Sequence, residues 1–60
     1  MDFRVDFRVT IYYIDYNNRP NTCTGIFHAM NEMDAKAKAI DFFFDPDERK
    51  MITQTFVSEI

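Results

Sequence analysis

The stretch DFRVDFRVTIYY, residues 2–13, alternates apolar and polar residues without a break. Strand side chains alternate between faces with a period of two, so Phe3, Val5, Phe7, Val9, Ile11 and Tyr13 share one face. Asp2, Arg4, Asp6, Arg8, Thr10 and Tyr12 share the other. The doubled DFRV follows from this pleat, because a repeat of even length returns each residue type to its own face. An alternation this long specifies the register of a sheet covered on one side only. It therefore predicts a central strand and an open sheet face.

The strand is expected to run on to Tyr16 and to turn through Asn17-Asn18-Arg19-Pro20-Asn21, where asparagine tolerates positive φ. Thr22 to Ala29 then forms a second strand, with Gly25, the only glycine, marking a bulge or a close neighbour. The segment MNEMDAKAKAIDFFF predicts a helix over 32–44. Asn31 is its N-cap, Glu32 and Asp34 are acids in its first turn, and Met30 with Ala35 offers a hydrophobic staple. Ala35, Ala39, Ile40 and Phe43 form its core face at helical spacing. Pro46 disfavours helix at Asp45 and opens a short turn. Residues 51–58 close the chain as a third strand, with Ile52 and Phe56 expected on one face and Met51 and Val57 on the other.

These elements define an α+β fold of ββαβ order over a single domain, residues 1–60. It is a three-stranded antiparallel sheet of order 2-1-3 with one helix packed on one face and a right-handed crossover. Sixty residues bury a small core, which ten aromatic residues must fill densely. The lone Cys23 excludes an internal disulfide, and His28 and Cys23 do not make a metal-ligand spacing, so no cofactor or metal is expected. The absence of a leader pattern and of an 18-residue apolar run points to a cytoplasmic protein without a membrane partner.

Function is narrowed mainly by exclusion. His28 is flanked by Phe27 and has no nucleophile spaced to it, and nothing near Cys23 in sequence would lower its pKa. One glycine cannot build a phosphate loop, and Asp45-Pro46-Asp47-Glu48 lacks the pattern of a calcium loop. Catalysis is not expected. The net charge of −3 resides entirely in the second half, which disfavours nucleic acid.

Too many apolar residues remain for one helix and three short strands to bury. Three consecutive phenylalanines, 42–44, cannot all point inward: either they plug both ends of the small core, or one of them, Phe44 or Phe42, is an exposed anchor for a partner, with Tyr16 as a further anchor and Tyr12 as a further contact. Asp45, Asp47 and Glu48 would steer this surface toward a larger, basic partner. Homodimerisation is a further expectation, through strand three or the Tyr12–Ile14–Tyr16 patch. The alternative class is a single-strand nucleic-acid binder stacking bases on Tyr12 or Tyr16, with Arg4, Arg8 and Arg19 around them.

The helix start, Ala29-x-Asn31-x-x-Asp34-Ala35-x-x-x-Ala39, resembles that of small bacteriophage proteins that bind and inhibit host machinery. The group includes the phage T7 inhibitor of bacterial RNA polymerase and the T4 antitoxin against a host RNase toxin. The resemblance covers the middle third of the chain, and its positions are structural. It implies a non-enzymatic inhibitor of a host protein that works by occupying a surface in the host cytoplasm.

Overall fold

A computed structural model describes residues 4–60, so the expectations for Asp2 and Phe3 lie outside the described residues. Strand β1 spans Val5–Ile14, β2 Pro20–Ala29 and β3 Ile52–Glu59, and helix α1 spans Glu32–Phe43. The sheet order is β2-β1-β3, with both pairings antiparallel. The chain is an α+β domain of ββαβ order, with the alternating strand β1 in the centre of its sheet.

The odd residues of β1 face the helix. Phe7, Val9 and Ile11 are buried there, together with Ala29, Ala35, Ala39 and Phe44. The even residues Asp6, Arg8 and Tyr12 are exposed on the opposite, open face, and Arg4, just ahead of β1, is exposed as well. Ala35 and Ala39, four residues apart on one side of α1, carry only a methyl group each and let the helix axis approach β1 closely.

Asp15, not Asn17, begins the hairpin turn. Its Oδ1 accepts the backbone N–H of Asn17 at 2.9 Å and of Arg19 at 3.0 Å, and Asn18 takes the left-handed conformation at φ 61°. A side chain that bonds backbone two residues ahead competes with the ladder, so β1 stops at Ile14. Strand β2 begins at Pro20, a first-residue position where a missing N–H is tolerated.

Gly25 sits in a continuous register opposite Val9, without a bulge. A Cβ there would lie 2.7 Å from Cε2 of Phe27 and 3.2 Å from Cζ of Phe43. The glycine is thus explained by close approach, since its bare Cα makes room for two rings.

Helix α1 starts as its cap residues dictate. Asn31 Oδ1 accepts the Asp34 N–H at 2.8 Å, while Asp34 Oδ2 reaches back to the N–H of Met30 at 3.1 Å. Met30, ahead of the cap, is itself exposed, while Ala35 is buried.

Two expectations are corrected by packing. The first is Phe44 as an exposed anchor, because Phe44 is 7% exposed and belongs to the core. Its backbone has already left the helix, at φ −131° and ψ 134°, so helical spacing no longer sets its direction. The extended conformation turns the ring inward onto Tyr13, edge to face at 5.1 Å. The second is the pairing of faces in β3. The ladder to β1 slips between Tyr12 and Tyr13, leaving Thr53 as an extra residue. Ile52 therefore joins Tyr13 on the helix side, while Phe56, opposite Thr10, lies on the open face against Tyr12.

Candidate partner-binding corner

The end of the hairpin and the loop after α1 meet at one corner of the molecule. Asp45-Pro46 leads into a turn and a short 3-10 segment, Arg49–Met51. Glu48 Oε1 accepts the N–H of Asp45 at 2.9 Å, a reach-back bond that closes the turn. Glu48 Oε2 accepts the hydroxyl of Tyr16 at 2.7 Å, across 32 residues of sequence. One carboxylate thus ties the β1–β2 hairpin to the loop that enters β3.

This bond fixes the direction of an otherwise free ring. Tyr16 is 79% exposed, yet its phenol is held over a hollow of about 240 Å³. Tyr13, Phe43, Phe44, Met51 and Cys23 provide the apolar part of that hollow, and Asp15 and Glu48 add carboxylates to its lining. Asp45 and Asp47 are exposed in the same loop and close enough to act on Tyr16 electrostatically.

The ionisation of the corner follows from these contacts. The hydrogen bonds from Asp45 N–H and the Tyr16 hydroxyl hold Glu48 below the usual carboxylate range. The bond to Glu48, desolvation and the charges of Glu48, Asp47 and Asp45 push the Tyr16 phenol above its ordinary value. Tyr16 stays a neutral donor and Glu48 an anion at neutral pH. Burial pushes the Cys23 thiol up, away from the reactive thiolate. Aromatic walls beside carboxylates suit a cationic side chain, whose stem can lie on apolar surface while its charge meets the acids.

Of the residues singled out in sequence, Tyr16, Asp45, Asp47 and Glu48 come together here. Phe44 lies under them as a wall of the hollow rather than as an anchor. Phe42 is 74% exposed and lies elsewhere, its ring edge-on to Phe43 and Phe27 at 5.0 and 5.8 Å. Tyr12 stands on the open sheet face, edge-on to Phe56 at 5.6 Å. The contributions of Asp15, Tyr13, Met51 and Cys23 had no signature in sequence, except that an aspartate two residues before Asn17 fits a turn-capping position.

Among the described residues no group of three or more His, Cys, Asp and Glu is placed to hold a metal ion. No described helix is long and apolar enough to cross a membrane. No family model, no curated protein and no solved structure matches the chain.

Proposed function

We propose that the protein is a small non-enzymatic binding module that inhibits or modulates a larger protein by stoichiometric occupation of its surface. The observation that carries this reading is the Tyr16–Glu48 bond, which holds an aromatic ring and a carboxylate at the mouth of an apolar hollow. The partner surface it suits is basic, with a lysine or arginine entering the hollow and Asp45 and Asp47 steering the approach. The helix-start pattern shared with phage inhibitors of host machinery supports the same class, with the host cytoplasm as its setting.

The test is affinity capture from extract of the native host, followed by measured binding of the captured partner. Tyr16→Ala should weaken that complex by at least about 2 kcal/mol, the usual cost of truncating a central aromatic. Asp47→Asn should chiefly slow association, and less so as salt is raised. A partner whose affinity ignores Tyr16→Ala in a folded protein would move the interface away from this corner.

The Tyr12–Phe56 pair supports a second reading. Two exposed rings with Arg8 on an open sheet face suit the stacking of unpaired bases. Tight binding of single-stranded nucleic acid at physiological salt would favour it over the protein-binding class.

A further inference from the structure

The sheet has two edges, and they are treated differently. On β2, Pro20 supplies no N–H, the Lys38 amine donates to the His28 carbonyl at 2.9 Å, and the Phe42 ring packs on Phe27. These are devices that close an edge to further pairing. Among the described residues, strand β3 has none of them beyond its bulge at Thr53. From Ile52 to Ser58 it carries no charge and no proline, and it is rich in β-branched and aromatic residues. Such an edge is a template for another strand.

We propose that the edge of β3 is covered by the β3 of a second copy, paired antiparallel about a two-fold axis at Phe56. Two three-stranded sheets then join into one sheet of six strands, with both helices on the same side.

Charge and side-chain placement select a second copy as the occupant. β3 is preceded by Arg49-Lys50 and ends at Glu59, so its head is basic and its tail acidic. An antiparallel copy sets each acidic tail beside the other's basic head. In the register centred on Phe56, Thr55 faces the partner's Val57, and Thr53 faces the partner's Glu59. Glu59, opposite Phe7, lies on the helix side. The partner's Glu59 is therefore delivered to the groove of about 630 Å³ between α1 and β3, lined in part by Lys36 and Arg49. Arg49 is already bound by Asp41, whereas Lys36 makes no ion pair among the described residues. On the open side, Phe56 is 51% exposed and meets the partner's Phe56 directly, which extends the Tyr12–Phe56 contact to a row of four rings.

Edge pairing is independent of the hollow beneath Tyr16, and it is read on the purified chain without any other protein. Sedimentation velocity from about 1 to about 200 µM should show a concentration-dependent shift from monomer to dimer, as befits an interface at the small end of the specific range. Phe56→Lys should abolish the shift. Lys36→Glu and Glu59→Lys should each weaken the dimer about tenfold, since each places two like-charge contacts in one interface, and the two together should restore it. Ile26→Lys, on the open face of β2, should leave it intact. A chain that stays monomeric throughout overturns the proposal. So does a dimer lost with Ile26→Lys but kept with Phe56→Lys, which would mean stacking of open faces. Failure of the double swap to recover association, with both single variants folded by far-UV circular dichroism, overturns the register.

Discussion

Phe44 stands edge-on to Tyr13, their ring centroids 5.1 Å apart and their planes at 81°. A residue just past the helix end thereby closes the core against the central strand. Phe44→Ala should cost about 3–5 kcal/mol, as truncation of a buried phenylalanine does. That is comparable with the whole stability expected of a domain this small. Urea denaturation should find the variant largely unfolded, while Phe42→Ala, which removes an exposed ring, should cost about 1 kcal/mol.

Asn31 holds the helix start through a single 2.8 Å bond to the Asp34 N–H. Asn31→Ala should destabilise by about 1 kcal/mol, whereas Asn31→Ser or Asn31→Asp should stay close to the parent. Thermal unfolding of the three variants under one set of conditions checks the ranking.

At Gly25 two opposing effects can be weighed. Alanine would gain roughly 0.5–1 kcal/mol from backbone entropy. Its Cβ, however, would overlap the Phe27 ring at 2.7 Å, and that ring cannot swing clear without losing its edge contacts with Phe42 and Phe43. Gly25→Ala should therefore be net destabilising, with an overpacking cost of about 1–3 kcal/mol that exceeds the gain. Chemical shifts of the Phe27 and Phe43 ring protons should move most.

Asp34 is held below the ordinary carboxylate range, chiefly by the Met30 N–H and further by Lys38, as Glu48 is by Asp45 and Tyr16. A carboxylate with a depressed folded pKa contributes stability that is present above its unfolded value, about 3.9–4.3. That stability is lost as pH falls through the folded value. Denaturation midpoints should thus decline below about pH 4, and Asp34→Asn with Glu48→Gln should flatten the decline.

Tyr16 has the opposite sign. Its raised phenol contributes stability that is present below the ordinary tyrosine value of about 10 and lost as pH rises through the folded one. Subtracting the ultraviolet titration of Tyr16→Phe from that of the parent should isolate one tyrosine titrating above about 10. In Glu48→Gln the same difference should move back toward the ordinary value.

The legible parts of this molecule are those written in local periodicity. β1 and its two faces follow from a period of two, and the helix start follows from Asn31 and Asp34. The sheet order followed from giving the most regular strand two neighbours. The burial of Phe44 is hidden in the sequence because three consecutive phenylalanines continue a helical pattern past the point where the backbone leaves it. The bulge at Thr53 inserts one residue into an ordinary β-rich run, and such an insertion has no compositional mark. The corner was half visible: its acids and Tyr16 could be named, but the Tyr16–Glu48 bond joins residues 32 apart and depends on how two loops fold toward each other. The apolar walls of the hollow were invisible for the same reason.

The pairing of β1 with β3 has a mechanical consequence. The start of β1 lies beside the end of β3, with Phe7 opposite Glu59 and the Ile60 N–H bonded to the Asp6 carbonyl at 3.0 Å. Interstrand bonds of an antiparallel pair run perpendicular to the strands. A pull applied between Arg4 and Ile60 therefore loads these bonds along their own direction and one after another, as a zipper opens, instead of shearing the whole ladder at once. The domain should yield at low force from that end, while a pull between the hairpin at Asn18 and Ile60 must slide β3 past β1 and meet far greater resistance.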